Sequence, residues 1–181
     1  MPEKLFEPMV FVDLETTGAT GTVDRITEIG IVEVNEEGEV REWSSLVNPQ
    51  TSIPPFIQNL TGISDAMVAE APTFEELAEE VLMRLHGRLF VAHNARFDYG
   101  FLKNEFKRVG VDFKATVLCT VKLSRKLFPQ FSKHSLDALI ERHQLHMPAR
   151  HRALADAAVL WQFWQILQQQ MPASQLQEAV G

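Results

Sequence analysis

The sequence has little cysteine and no long apolar run, and both absences narrow what the protein can be. Its one cysteine, Cys119, cannot form an internal disulfide, which favours a reducing compartment. The apolar runs are only a few residues long, so no segment is predicted to span a membrane. Glu3 and Glu7 stand where a signal peptide would have basic residues and an apolar core. We therefore expect a cytoplasmic protein without a membrane partner.

The sequence also lacks internal repeats and the glycine-rich phosphate loop of nucleotide hydrolases. Its composition, 45% hydrophobic and 23% charged, is typical of a globular domain. A chain of 181 residues usually forms one domain. We expect that domain over residues 1–170, followed at 171–181 by a C-terminal tail or the start of a linker.

Acidic residues are in excess, but the charge is unevenly distributed. The net charge is −7. Residues 1–102 contain 6 Lys and Arg against 18 Asp and Glu, whereas residues 103–181 contain 11 against 6. The basic segment could contact a phosphate backbone, or it could be an ordinary solvated helix surface. Its basic residues are concentrated at Lys103, Lys107, Arg108, Lys114, Lys122, Arg125, Lys126 and Lys133.

Apolar periodicity predicts an α/β fold. Short apolar runs bounded by turn residues predict five strands, at 9–12, 26–34, 39–47, 88–92 and 115–121. Apolar stripes at helical spacing predict helices at 55–62, 73–85, 95–109, 121–128, 135–143 and 153–170. Three strands come before an alternation of strands and helices. This order favours a mixed five-stranded sheet with helices on both faces.

Asp13 and Glu15 follow the apolar strand that should be most deeply buried. Side chains alternate along a strand, so these two carboxylates are expected on one face, roughly 7 Å apart. Like charges in a poorly solvated place repel each other, and a divalent cation between them removes that cost. Carboxylate oxygens suit Mg²⁺ or Mn²⁺. The alternative is that both side chains turn into solvent where the strand ends.

Three more residues extend this pattern. Asp98 and Asp156 each stand near the start of a helix, four residues before a leucine of its apolar stripe. His151 precedes Asp156 by five residues and is placed on the loop that enters the helix. Singly, each aspartate could simply favour the helix dipole, and His151 could be a surface histidine. Together, four convergent carboxylates predict a two-cation centre that could hold a scissile phosphate.

These residues lie in motifs that resemble the DnaQ-like exonuclease family of the DEDDh type, which includes the proofreading epsilon subunit of a bacterial replicative polymerase. The resemblance covers about residues 9–165. Three segments resemble the exonuclease motifs, at residues 13–18, 93–98 and 151–156. Two further segments, at 26–34 and 60–63, resemble the family sequence between motifs. Three motifs in the right order make a specific signal, which no single one would be.

The resemblance implies an RNase H-like fold and removal of nucleoside 5′-monophosphates from a 3′ end. By similarity, Asp13, Glu15 and Asp156 would bind the first of two Mg²⁺ or Mn²⁺ ions. Asp13 would bridge to the second, with Asp98 acting directly or through water. His151 would be the general base, a task that a near-neutral pKa suits. The family's substrate-contacting positions fall on Leu14, Thr16, Thr17, Leu60, His93, Asn94 and Phe97.

The expected substrate is the 3′ end of single-stranded or frayed DNA, in proofreading or repair. An RNA-trimming exonuclease remains open, because the same centre cleaves either polymer. A nucleic-acid-binding module with little catalysis would require a damaged site, and none of the five core positions departs from the family pattern. A polymerase, or a fused repair-nuclease domain, is an expected partner. The spacing of His143, His146 and His151 with Cys119 matches no common zinc site.

Overall fold

A mixed five-stranded sheet organises the computed structural model, which describes residues 8–180, so Glu3 and Glu7 lie outside the described residues. The strand order is β3-β2-β1-β4-β5. The β1 strand pairs antiparallel with β2 and parallel with β4. At the edges of the sheet, β3 pairs antiparallel with β2, and β5 pairs parallel with β4. The strands are β1 Met9–Thr16, β2 Ile26–Val34, β3 Val40–Leu46, β4 Leu89–Ala92 and β5 Val117–Cys119.

The central strand is longer than the sequence pattern predicts. Pairing with β2 continues beyond the apolar run, with Asp13 opposite Gly30 and Glu15 opposite Glu28. The two acids therefore remain within β1 and keep its alternation, so they share the face of Met9 and Phe11. The expectation that both carboxylates lie on one face of the sheet is confirmed.

Helices cover both faces of this sheet, as predicted. One apolar cluster joins β1 and β2 to α3 and α4, and a second joins the opposite face to α5, α6, α7 and α8. The helices are α1 Pro55–Thr61, α2 Asp65–Ala69, α3 Phe74–Leu85, α4 Ala95–Arg108, α5 Thr120–Leu127, α6 Leu136–His143, α7 Ala153–Gln170 and α8 Ala173–Val180. The start of α3 has a capping box, since Thr73 Oγ1 accepts from the Glu76 amide and the Glu76 carboxylate accepts from the Thr73 amide.

Two helices were not predicted. The five-residue α2 is too short for a periodic signal, although Ser64 caps it. The α8 helix occupies most of the segment expected to be a tail, and its Leu176 is fully buried. Leu176, Ala179 and Val180 have the spacing of one helical face, and all three pack against the cluster around α7. The division into an exonuclease domain and a following linker stays a prediction.

Among residues 8–180, no helix is both long and apolar enough to cross a bilayer.

Candidate active site

The end of β1 presents two acids to the start of α7. Asp13 lies opposite Gly30 of β2, and Glu15 lies opposite Glu28. A Cβ atom at Gly30 would stand only 2.3 Å from the backbone of Ala153 and Leu154. Glycine is therefore needed there, because the first turn of α7 packs directly on the backbone of β2. This close approach brings the helix start to the side of the sheet that carries Asp13 and Glu15.

Two more acids come from the first turns of helices. Asp98 of α4 and Asp156 of α7 are each only 3% exposed. One carboxylate oxygen of each, together with Asp13 Oδ2, is buried and accepts no hydrogen bond from residues 8–180. A buried carboxylate oxygen without a partner is costly. These three oxygens therefore mark a place where buried carboxylates lack the hydrogen bonds that would offset their loss of solvation.

His151 lies beside this cluster, on the loop before α7. Its backbone has φ 68°, a left-handed conformation that few residues other than glycine adopt. Ligand atoms of Glu15, His151 and Asp156 all lie within 4.8 Å of one another. The structure thus brings the predicted histidine to two of the predicted acids.

The electrostatics of the cluster are those of crowded, desolvated acids. Burial, followed by repulsion from Asp98, Asp156 and Glu15, raises the pKa of Asp13 well above its usual value. Burial, with repulsion from Asp156 and Glu28, raises the pKa of Glu15 to about 8. Burial also raises the pKa of Asp98, and it raises that of Asp156 to about 6. Strongly perturbed carboxylates in a cleft are typical of functional sites.

These residues fit a divalent cation. Oxygen donors that are negatively charged, buried and without hydrogen-bond partners are what Mg²⁺ and Mn²⁺ bind. The pKa shifts point the same way, because a bound cation would favour the ionised form that burial opposes. Asp13, Glu15, Asp98 and Asp156 are therefore the candidate ligands.

Arg150 is a member of the site that the sequence patterns did not reveal. Its Nη1 donates to Asp156 Oδ2 at 2.7 Å and lies 3.3 Å from His151 Nδ1, while its Nε donates to Asp137 Oδ1 at 2.6 Å. The positive charge of Arg150 lowers the pKa of Asp156, against the larger effect of burial. Its signal was local, since two arginines flank His151 in the sequence.

A cavity of about 460 Å³ opens at the acids. Asp13 and Asp156 line it, and the other lining residues are His93, Asn94, Val121, Arg125, His134, Ser135, Leu136 and Arg150. His93 is held by Thr120 Oγ1 at Nδ1 and by the His134 carbonyl at Nε2, both at 2.8 Å. Burial lowers the pKa of His93 to about 4, so its ring is neutral at pH 7. The predicted residues His93 and Asn94 therefore belong to the wall of the site.

The other predicted substrate-contacting residues are not among those that line this cavity. Leu14 is buried in the cluster on the opposite face of the sheet. Thr16 Oγ1 donates to the Gly18 carbonyl, and Thr17 Oγ1 donates to Asp24 and accepts from the Arg25 amide, so both hydroxyls shape the loop after β1.

Leu60 and Phe97 complete the predicted set. Leu60, on α1, is 52% exposed. Phe97 packs on Phe101 with ring centroids 4.7 Å apart. Leu60 is thus the predicted apolar contact with the most accessible side chain.

Glu28 is a second residue that the sequence patterns did not single out for the site. It is buried within β2 and paired with Arg152, whose side chain donates to both of its carboxylate oxygens. The available signal was an acid within a strand whose residues are all buried. Glu28 therefore links the sheet to the residue that follows His151.

Comparisons with known proteins identify the family of the chain. The family model RNase_T, described as Exonuclease, matches residues 10–164. The 3′-5′ exonuclease DinG of Bacillus subtilis (strain 168) is 46% identical over 153 residues, 83% of this chain and 16% of that protein. DNA polymerase III PolC-type of Caldanaerobacter subterraneus subsp. tengcongensis is 40% identical over 148 residues, 82% of this chain and 11% of that protein. The chain thus spans less than a fifth of either relative.

A solved structure matches over nearly the full length of both chains. Exonuclease X in complex with 5′ overhanging duplex DNA has a TM-score of 0.67 and 32% sequence identity. The match covers 96% of this chain and 99% of that one. The predicted mixed-sheet, RNase H-like exonuclease fold is confirmed.

Proposed function

The chain belongs to the RNase_T exonuclease family, the predicted DnaQ-like group, and from that premise we propose that it is a metal-dependent 3′→5′ exonuclease acting on DNA. It would hydrolyse the last phosphodiester bond of a single-stranded or frayed 3′ end and release a nucleoside 5′-monophosphate. The matched relative and the matched solved structure are an exonuclease named for 3′-5′ activity and an exonuclease bound to DNA. Their names support the direction of cleavage and the choice of polymer.

One observation carries the proposal. Three buried carboxylate oxygens, on Asp13, Asp98 and Asp156, accept no hydrogen bond within residues 8–180. Asp13 and Asp156 line the cavity, and His151 lies beside Asp156. A fold that needed only stability would pair or expose these acids. A cation-dependent phosphodiesterase needs them unpaired, because cations then offset their repulsion of the substrate phosphate.

The ligand assignment follows the positions of the acids. Asp13, Glu15 and Asp156 would hold the first cation, and Asp13 would bridge to a second, with Asp98 supporting it directly or through water. Bound Mg²⁺ or Mn²⁺ would supply positive charge to the scissile phosphate and make the attacking water more acidic. Arg150 would give up its bond to Asp156 when that carboxylate binds a cation, and Asp137 would retain it nearby.

His151 would accept the proton of the attacking water. Burial and the neighbouring Arg150 lower the pKa of His151 below its ordinary value, so the ring is neutral at pH 7 and one of its nitrogens is unprotonated. A histidine in this state can act as a general base. Its loop position beside Glu15 and Asp156 supports that role.

The predicted substrate-contacting residues would receive the terminal nucleotide. Thr16, Thr17 and the backbone after Glu15 would hold its sugar and phosphate. Leu14, Leu60 and Phe97 would offer apolar contact to bases, and His93 and Asn94 would support the wall.

Proofreading or repair is the setting that the relatives suggest. One relative is a DNA polymerase and another is a longer exonuclease, and each is much longer than the matched region. A polymerase or a fused repair-nuclease domain is therefore the proposed partner, in the cytoplasm. RNA trimming is the alternative substrate choice.

The test is degradation of a 5′-labelled single-stranded DNA in Mg²⁺, Mn²⁺ or EDTA. We expect a ladder of shortened labelled products that depends on the metal. Asp13→Ala should abolish it, because the variant lacks the bridging ligand. Asp112→Ala is the matched control, since Asp112 is exposed and pairs only with exposed Lys114 among the described ion pairs.

The outcomes separate the candidate functions. A ladder with the wild type and Asp112→Ala, but not with Asp13→Ala, supports the proposal. A ladder on RNA alone would favour the RNA-trimming alternative. Binding of DNA without turnover in any metal, and unchanged by Asp13→Ala, would favour a binding module instead.

A further inference from the structure

We propose that Glu28 is a positioning residue that docks the start of α7 on β2 and so places His151 and Asp156 over Asp13 and Glu15. The inference deepens the proposed exonuclease function and rests on it. Glu28 touches none of the reacting atoms. It acts through Arg152 and Ala153, which lie between His151 and Asp156 in the sequence.

The contacts of Glu28 all converge on the beginning of α7. Its Oε1 accepts from Arg152 Nε at 3.0 Å and from the Ala153 amide at 2.8 Å, and its Oε2 accepts from Arg152 Nη2 at 2.6 Å. Its side chain is 6% exposed, whereas that of Arg152 is 40% exposed. A charged residue from a strand therefore fixes one end of a helix through hydrogen bonds from Arg152 and Ala153.

Glu28 takes the place of a helix cap. Arg152 precedes α7 and gives it no side-chain cap. The Ala153 amide is one of the first amides of the helix and has no partner within it. A carboxylate that accepts from this amide also interacts favourably with the positive end of the helix dipole.

Gly30 provides a second contact point for α7, two residues beyond Glu28 on the same face of β2. A Cβ added at Gly30 would meet the backbone of Ala153 and Leu154 at 2.3 Å. Glu28 fixes the helix start by hydrogen bonds, and Gly30 lets its backbone rest on the sheet. The two contact points define both where α7 begins and how close it lies.

This fixation is transmitted to the site by short covalent and hydrogen-bonded paths. His151 is bonded directly to Arg152. The Asp156 amide donates to the Arg152 carbonyl at 3.0 Å, which closes the first turn of α7. A displacement of Arg152 would therefore move the histidine and the aspartate together.

The position of Glu28 is electrostatically unfavourable for the acid cluster, which argues against a purely structural role. Glu28 stands opposite Glu15 in the sheet, so it adds a further negative charge beside the acid cluster. Farther along the same face of β2, Val32 and Val34 pack against the helices with apolar contacts alone. Replacing a buried ion pair by apolar residues is often neutral or stabilising, so stability does not require a glutamate here.

Two substitutions at this position should give graded effects. Glu28→Gln keeps an oxygen that can accept from the Ala153 amide but loses the charge that pairs with Arg152. Glu28→Ala loses both. We expect kcat to fall about 10²-fold in Glu28→Ala, because small misplacements of catalytic groups cost about that much. It should fall less in Glu28→Gln, and KM for DNA should change little in either variant.

The matched controls are Glu33→Gln and Glu33→Ala. Glu33 lies in the same strand, is buried, and pairs with Arg84 and Arg88, but its side chain points to the face opposite α7. These variants should lower stability and leave kcat within about 2-fold of the wild type. An equal loss of kcat at Glu33 and Glu28 would overturn the positioning role.

Amide hydrogen exchange provides a readout that does not depend on activity. Glu28→Ala should speed exchange in residues 149–157 and leave residues 95–108 of α4 unchanged. Unchanged exchange in 149–157 would overturn the docking role of Glu28. If exchange became faster over the whole chain in Glu28→Ala, exchange in Glu28→Gln would be compared between residues 149–157 and residues 95–108. Faster exchange in 149–157 alone would support the docking role, and equal exchange in the two regions would overturn it. An inactive wild type with local loosening in the variant would refute the proposed function while the docking role stands.

Discussion

Asp13 is half-buried among three other acids and lines the cavity of the candidate site. Burial and repulsion both raise its pKa, and one of its oxygens has no hydrogen-bond partner in residues 8–180. Such a residue costs stability, and residues of this kind are typical of functional sites. Alternation along β1 was enough to predict that Asp13 and Glu15 share a face. The approach of His151 to Glu15 was not predictable, because it depends on the left-handed backbone of His151 in the loop before α7.

Substitutions of His151 and Asp13 should have different effects on turnover and on Mn²⁺ binding. His151→Ala should lower kcat about 10²–10⁴-fold and leave Mn²⁺ affinity within a few-fold, because it removes only the base. Asp13→Ala should remove both turnover and tight Mn²⁺ binding. Single-turnover kinetics and calorimetric Mn²⁺ titration measure the two quantities.

The control for the histidine is His146→Ala, an exposed histidine of the same loop. It should leave both quantities unchanged. If His151→Ala abolished Mn²⁺ binding, His151 would be a ligand and not the base, which its proximity to Glu15 and Asp156 makes a real alternative.

Cation stabilisation should depend on pH. In the metal-free protein the pKa of Glu15 is raised to about 8, so its protonated form stabilises the fold at low pH. That contribution is fully present below its unfolded value of 4.5 and is lost as the pH rises through about 8. Mn²⁺ should therefore raise Tm more at pH 8.5 than at pH 5.5, and EDTA should reverse the gain.

Thermal unfolding with and without Mn²⁺ at both pH values measures this. Asp13→Ala should show a much smaller gain at either pH. A gain of equal size at both pH values in the wild type would show that the cations do not compete with protons for these carboxylates.

Among the helices and strands, the start of α7 determines the geometry of the site. The sequence predicted where α7 lies, because its apolar stripe is long and regular. It did not predict what holds the helix start, since Glu28 and Arg152 are 124 residues apart and only the folded sheet brings them together. Arg150 was missed although its partners are nearer in the sequence, because its bonds to Asp137 and Asp156 join a loop to two helices.

The α8 helix belongs to the packed fold, although its glutamine-rich surroundings suggested a tail. Leu176 is fully buried in the cluster around α7. Leu176→Ala should lower the free energy of unfolding by about 2–5 kcal/mol, the usual cost of emptying a buried leucine site. Urea denaturation followed by circular dichroism measures it.

Gln177→Ala is the matched control, since Gln177 is the exposed neighbour on the same helix. Its effect should stay within about 0.5 kcal/mol. A loss of similar size in both variants, or no loss in Leu176→Ala, would mean that α8 does not pack stably on α7.

Over the whole molecule, charge is divided in a way that suits a polyanionic substrate. The acidic excess lies in residues 1–102, and the basic excess lies in residues 103–181. The sequence left open whether the basic segment contacts phosphate. The structure narrows the question to particular side chains, because Arg125 is exposed and lines the cavity at the acids, whereas Lys114 lines a different cavity with Pro8.

Arg125 should therefore contribute to binding of the strand. Arg125→Ala should raise KM for single-stranded DNA about 5- to 10-fold at low salt, consistent with one lost phosphate contact, and leave kcat almost unchanged. The slope of log affinity against log salt should become shallower by about 0.7. Lys114→Ala should change neither quantity, and equal effects of the two variants would mean that the basic charge acts without a defined path.

The proposed function depends above all on the four acids forming a two-cation centre, and diffraction from crystals grown with Mn²⁺ would reveal such a centre. We expect two anomalous peaks, with Asp13 as a ligand to both, Glu15 and Asp156 on one of them, and Arg150 displaced from Asp156. If no peak appeared at these acids, and Arg150 were still bonded to Asp156 in saturating Mn²⁺, the acids would not form a cation centre.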